Sequence, residues 1–130
     1  MVQKITWQGD LKFTAEWNGL KIHSQETKDM KDLEAMPPGA IFASSLGLCT
    51  ASRIIGTCNK NNWTVRDLSL SLDYKVNLEA WRVDAFILDI DLDADLTDEE
   101  KELLYKEAHG CFVHRSIKHV PEIKLNINYV

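Results

Sequence analysis

The sequence has too few basic residues to bind nucleic acid through its phosphates. Lysine and arginine together number 15 against 20 aspartates and glutamates, which gives a formal net charge of -5 at pH 7. Phosphate-backbone binding requires a basic surface, so no nucleic acid partner is expected. The 130 residues are 45 % hydrophobic and 27 % charged, as in soluble globular proteins. This length predicts a single domain covering residues 1–130.

Long hydrophobic runs are also absent. The N-terminal segment MVQKITWQGD lacks the apolar centre of a signal peptide. The most apolar segment, residues 40–55, is shorter than the roughly 20 residues that span a bilayer, and it contains Arg53. We therefore expect no membrane association and a cytoplasmic location.

Cysteine is scarce, and the three residues Cys49, Cys58 and Cys111 are widely spaced without a C-x-x-C pair. This excludes a disulfide framework and leaves thiols that are either buried and inert or reactive. The segment HGCFVH, with His109 and His114, lacks the spacing of a zinc motif, so no metal or cofactor is expected. The G-x-S-x-G motif of serine hydrolases is missing as well.

Alternation of apolar and polar residues predicts strands, and capping signals predict helices. Proline at 37 and 38 opens a helix over about 40–59, and Thr97 with Glu100 forms a capping box that opens a second helix reaching about His109. CFVHRSIKH continues as a short helix. The predicted strands are QKITWQ, LKFTAEW, LKIHSQ, VRDLSLSLDYKV, RVDAFILDIDLD and the closing strand EIKLNINYV. The order βββ–α–ββ–α–β predicts an α+β fold.

Two cysteines are each followed by an arginine four residues later. Arg53 follows Cys49 and Arg115 follows Cys111, a spacing that places the two side chains on one helical face. A neighbouring guanidinium favours the thiolate, the reactive form of cysteine. Cys58 is nine positions from Cys49, hence on the opposite face, and is expected to be a packing residue. The spacing alone also allows Cys49 and Cys111 to be core residues with surface arginines nearby.

Two sequence blocks resemble the OsmC/Ohr family, the osmotically inducible and organic hydroperoxide resistance proteins. MPPGAIFASSLGLCTAS is similar to the first cysteine helix of that family, and DLTDEEKELLYKEAHGCFVHRSI is similar to its second cysteine block. The predicted order of elements agrees over nearly the whole chain. The resemblance implies sheets wrapped around central helices in an intertwined homodimer, whose two equivalent sites lie at the subunit interface.

The resemblance also implies a thiol peroxidase. Cys49 would attack an organic hydroperoxide and become a sulfenic acid, Cys111 would condense with it into a disulfide, and a dithiol reductant would restore both. Sulfenic acid is the first, reversible step of thiol oxidation, and a nearby thiol traps it. Arg53 and Arg115 are the candidate supporting cations.

Three positions depart from the peroxidase pattern. Gly39 and Ala40 occupy the positions where a glutamate is usual, no arginine precedes Arg53, and Phe112 stands where proline usually follows the second cysteine. An alternative is therefore a non-peroxidase protein of this fold that binds a small molecule or exchanges thiols at the dimer interface. A third possibility is a structural dimer whose cysteines are inert.

Overall fold

The structure is a computed structural model that describes all 130 residues. The chain divides into two compact units, residues 1–44 and residues 45–130. The single domain over residues 1–130 stays a prediction.

The first unit contains a three-stranded antiparallel sheet in the order β1-β2-β3. Strand β1 is Lys4–Trp7, β2 is Lys12–Trp17 and β3 is Leu20–Gln25. Asn18 and Gly19 connect β2 to β3 with φ angles of 48° and 77°. A two-residue hairpin needs positive φ at both positions, which Asn-Gly adopts readily. The three predicted strands are confirmed.

Helix α1, Pro38–Lys60, begins with proline at its first position, where the missing N–H group is not needed. It ends where Asn62 adopts a positive φ of 58°. The side-chain amide of Asn61 donates to the carbonyl of Thr57 at 2.8 Å, which satisfies one of the last helical carbonyl groups. The asparagine-rich segment therefore stops the helix, as predicted.

Strands β4, Val65–Asn77, and β5, Arg82–Ala94, form a long antiparallel hairpin in the second unit. Their alternation places leucines on one face and aspartates and serines on the other. The leucine face lies against α1, since a Cβ built at Gly47 would be 3.4 Å from Leu70 Cδ2 and 3.5 Å from Leu72 Cδ1. The hairpin thus covers the helix that carries the first candidate cysteine.

Helix α2, Asp98–Ala108, has the predicted capping box. The Glu100 N–H group donates to Thr97 Oγ1 at 3.2 Å, and Glu100 Oε1 accepts from the Thr97 N–H group at 2.9 Å. Helix α3, Phe112–Lys118, follows after Gly110 and Cys111. The core of the second unit is built on Ile54, Cys58 and Leu104, which pack with Trp63, Val65, Leu68, Ile90, Leu92, Leu96 and Ala108.

The α+β fold class is confirmed, with three helices and two antiparallel sheets. One predicted element differs, because residues 119–130 contain no strand. The four alternating apolar side chains of the predicted closing strand are 64 % to 91 % exposed, namely Ile123, Leu125, Ile127 and Tyr129. A strand requires a hydrogen-bonded neighbour, and this segment pairs with no strand of its own chain.

Candidate functional site

Helices α1 and α3 place Cys49 and Cys111 on the wall of the same cavity, which has a volume of about 630 Å³. All of its lining residues belong to the second unit. Both candidate supporting arginines also line it. The complete lining is Cys49, Ser52, Arg53, Gly110, Cys111, Phe112, Arg115, Ser116 and His119.

Cys49 is half-buried on α1, one turn before Arg53. The Val113 N–H group, in the first turn of α3, donates to the Cys49 sulfur at 3.5 Å. This N–H group has no partner within its own helix because it belongs to the first turn. The sulfur of Cys49 therefore satisfies one of the N–H groups at the start of α3.

Cys111 is the N-cap residue of α3 and is only 2 % exposed. Its sulfur accepts from the His114 N–H group at 3.3 Å and lies 3.7 Å from the hydroxyl of Thr50. The predicted short helix begins one residue later than expected, since the Cys111 sulfur takes the place of a capping oxygen. The signal that could have shown this was the helix-breaking Gly110 directly before a residue whose side chain can accept an N–H group.

Arg53 lines the cysteine cavity, but its hydrogen bonds go to Glu107 at the end of α2. The Nε–H group donates to the Glu107 carbonyl at 3.2 Å, and Nη2 forms an ion pair with the Glu107 carboxylate. The spacing of the sequence suggested a cation serving Cys49. It could not indicate Glu107, which is 54 residues away in the chain.

Arg115 is exposed on α3 and also lines the cysteine cavity. It forms no ion pair with a carboxylate of its own chain, in contrast to Arg53. Its backbone N–H group donates to the Cys111 carbonyl at 3.0 Å. Arg115 is thus the cation of this cavity whose charge is not compensated within the chain.

A second cavity of about 450 Å³ lies between α1, β5, α2 and α3. Its walls are largely apolar, and two of its lining residues, Thr50 and His114, contact the Cys111 sulfur. Burial lowers the pKa of His114, and the charges of Lys118 and His109 lower it further. The residues that line this cavity are Leu46, Thr50, Phe86, Leu88, Ile90, Tyr105, Ala108, His109, His114, Ile117 and Lys118.

Cys58 is fully buried in the core and lines neither cavity. Burial raises the pKa of its thiol, because the charged thiolate is poorly solvated in an apolar core. The prediction that Cys58 is a packing residue is confirmed. No three histidine, cysteine or carboxylate side chains come together in a metal-binding arrangement.

Comparison with known proteins identifies the family. The model of the OsmC-like protein family matches residues 28–126. The chain belongs to the OsmC-like family. No curated protein matches its sequence. The resemblance drawn from the two cysteine blocks is therefore confirmed at the level of the family.

Solved structures share the fold at low sequence identity. A Psychrobacter arcticus protein named for osmotic stress and a detoxification response has a TM-score of 0.80 and 23 % identity, covering 89 % of this chain and 87 % of that one. An OsmC-like protein from Mycoplasma pneumoniae has a TM-score of 0.78 and 16 % identity, covering 98 % and 93 %. An organic hydroperoxide resistance protein from Legionella pneumophila has a TM-score of 0.60 and 22 % identity, covering 91 % and 90 %.

Helix α1 of this OsmC-like protein is long and apolar enough, by length and composition, to cross a membrane. It is longer than the apolar run apparent in the sequence. The core helix of a soluble protein meets the same criterion, and α1 supplies the buried residues Leu46, Ile54 and Cys58. Membership of the OsmC-like family supports a soluble protein.

Proposed function

We propose that this OsmC-like protein reduces organic hydroperoxides with the thiols of Cys49 and Cys111. The observation that carries the proposal is that both sulfurs accept N–H groups from the first turn of α3 while lining one cavity. Hydrogen bonds from unpaired main-chain N–H groups favour negative charge on an acceptor. A thiolate is the form of cysteine that attacks an O–O bond.

The difference in exposure supports different roles for the two cysteines in this proposal. Cys49, the more accessible thiol, attacks the distal oxygen of the hydroperoxide, so its thiolate becomes a sulfenic acid and the alkoxide leaves as an alcohol after taking up a proton. Cys111, which is nearly inaccessible, then attacks the sulfenic sulfur. The S–O bond breaks, an S–S bond forms and water leaves. A dithiol reductant returns both cysteines to thiols by thiol–disulfide exchange.

This route does not require the glutamate that is missing at Gly39 and Ala40. The first turn of α3 supplies the hydrogen bonds that stabilise charge on sulfur, and Arg115 supplies an uncompensated positive charge in the same cavity. Fewer cations act directly on Cys49 than in the peroxidase pattern, because Arg53 is paired with Glu107. We therefore expect a slow enzyme.

A second candidate function is the binding of a small apolar molecule. The 450 Å³ cavity beside Cys111 is favoured for this role, since ligand pockets measure about 300–1,000 Å³ and combine apolar walls with a few polar groups. The same cavity would serve a protein that binds a ligand or exchanges thiols without reducing peroxides.

We propose further that the working form is a cytoplasmic homodimer. The chain exposes 10828 Å², whereas a folded monomer of 14.9 kDa exposes about 7,000 Å². Large apolar side chains account for part of this excess, among them Leu48 and Phe112 on either side of the cysteines. Large apolar side chains exposed together on one chain are typical of a subunit interface.

Steady-state turnover tests the proposed function. The reduced protein is supplied with cumene hydroperoxide and a dithiol, and alcohol formation is followed. We expect Cys49→Ser to abolish turnover and Cys58→Ala to stay within about a factor of two of the unaltered protein. Cys111→Ser should form no intramolecular disulfide with Cys49 and should turn over only through direct reduction of the Cys49 sulfenic acid by the dithiol. Peroxide reduction that survives Cys49→Ser would contradict the proposal, and an absence of turnover in the unaltered protein would favour the binding function.

A further inference from the structure

The ion pair between Arg53 and Glu107 joins the two parts of the chain that carry the candidate cysteines. Arg53 lies one helical turn after Cys49 on α1, and Glu107 lies four residues before Cys111. Two contacts connect them, from Nε–H to the Glu107 carbonyl at 3.2 Å and from Nη2 to its carboxylate. We call this pair of contacts the Arg53–Glu107 clamp.

The clamp also fixes the turn that leads to Cys111. The Glu107 carbonyl that accepts from Arg53 accepts from the Gly110 N–H group at 2.9 Å. A Cβ at position 110 would lie 3.3 Å from that carbonyl oxygen and 3.6 Å from Arg53 Nη2, so only glycine leaves the turn fully free. The guanidinium therefore lies directly against the residue before Cys111.

We infer that Arg53 is a positioning residue for the condensation of the two cysteines. This inference rests on the proposed function. Arg53 acts through Glu107 and the Gly110 turn, which hold the Cys111 sulfur where it can reach the sulfenic acid on Cys49. Attack at sulfur depends on alignment, and a displacement of about 1 Å can slow a reaction by up to about a hundredfold. The clamp thus controls disulfide formation and leaves the first attack on peroxide unchanged.

An alternative role for Arg53 is direct stabilisation of the Cys49 thiolate, and Glu107→Gln separates the two. If the guanidinium charge acts on Cys49, removing the Glu107 charge frees that guanidinium and makes the first attack faster. Arg53→Met would make the same step slower. If the clamp positions Cys111, both substitutions loosen the same turn and both slow the second step.

The test measures the fate of the Cys49 sulfenic acid. Reduced protein receives one equivalent of cumene hydroperoxide with dimedone present, and mass spectrometry gives the ratio of Cys49–Cys111 disulfide to dimedone adduct at Cys49. We expect Arg53→Met, which removes both contacts of the clamp, to lower this ratio about tenfold. Glu107→Gln, which removes only the carboxylate charge, should lower it by a smaller factor, and the rate of peroxide loss should change less than about twofold in both. Arg53→Lys, which keeps one ion pair, should recover part of the ratio.

Arg66→Met is the matched control. Arg66 also forms ion pairs, with Asp93 and Asp95, but it lines neither cavity. The control should leave both the ratio and the rate unchanged. An unchanged ratio in Arg53→Met and Glu107→Gln would overturn the inference, and so would opposite effects of the two substitutions on the first step.

A diamide arm keeps the inference separable from the proposed function. Diamide oxidises two thiols to a disulfide and is itself reduced to the hydrazine, so it needs no peroxide chemistry. If the unaltered protein forms no sulfenic acid, the proposed function fails. The clamp is then judged by diamide alone, with slower Cys49–Cys111 disulfide formation expected in Arg53→Met and Glu107→Gln. Equal rates in the unaltered protein and both variants would overturn it.

Discussion

Cys49 and Cys111 differ in exposure and in their place on a helix more than in neighbouring charge. Cys49 is an accessible residue inside α1, and Cys111 is a buried N-cap of α3. Both sulfurs nevertheless receive main-chain N–H groups from consecutive positions, Val113 and His114. In the proposed mechanism, this common source of hydrogen bonds is what stabilises negative charge on both sulfurs.

The sequence could identify the two cysteines, but it could not give the partners of their neighbours. The i, i+4 rule placed Arg53 on the face of Cys49, and the chain does place both on one cavity. The rule considers one helix at a time, so the pairing with Glu107 on α2 was outside its reach. Cys111 illustrates the same limit, because capping depends on where a helix begins.

His114 should make stability depend on pH. Burial and the charges of Lys118 and His109 lower its pKa from the ordinary 6.5, so the folded state binds a proton less readily than the unfolded state. Its contribution to stability is therefore full above about pH 6.5 and is lost as the pH falls below that value. Urea unfolding across this range should show that loss in the unaltered protein and a smaller loss in His114→Asn.

The contribution of His114 is separable from that of the carboxylates. Hydrogen bonds and ion pairs hold the pKa values of Asp84 and Asp95 below their ordinary range, so these groups titrate only in more acidic solution. An identical pH dependence in His114→Asn would show that the imidazole does not set stability in this window.

At the scale of elements, local signals were sufficient wherever the partner of an element is close in sequence. The Asn18-Gly19 hairpin, the capping box at Thr97 and the asparagine stop of α1 were all predictable. Each depends on residues within a few positions of one another. The predicted closing strand is absent from the structure, and local signals could not decide it. Alternation indicates two faces, but it does not supply the neighbouring strand that hydrogen bonding requires.

The capping box of α2 should contribute measurably to stability. Thr97→Ala removes the hydroxyl that accepts from the Glu100 N–H group, and we expect a loss of about 1 kcal/mol in the free energy of unfolding. The control is Thr64→Ala, since Thr64 is exposed between α1 and β4 and its side chain caps no helix. A loss no greater than that of the control, measured by urea unfolding, would show that the box adds nothing.

For the whole molecule, the total solvent-accessible surface is larger than expected for a folded monomer of this size. The excess over the expected area is about 3,800 Å², from 10828 Å² against roughly 7,000 Å². The alternating segment 122–130 adds to it and is free to pair with a strand of another chain. The structure of one chain shows the fold, and the family match shows the family. The oligomeric state must be measured in solution.

Light scattering should therefore give a mass of about 30 kDa, twice the 14.9 kDa of one chain. Leu125→Asp places a charge among the alternating apolar residues of the closing segment and should weaken the dimer. Lys124→Asp, one position away on the other face, is the control and should leave it intact. A folded species of about 15 kDa for the unaltered protein would rule out the obligate dimer.

The most direct test of the thiol mechanism is peptide mapping after reaction with one equivalent of an organic hydroperoxide. The account predicts a mass lower by about 2 Da, one disulfide between Cys49 and Cys111, and Cys58 still a free thiol. A disulfide that includes Cys58, or three unmodified thiols with the peroxide unconsumed, would contradict it.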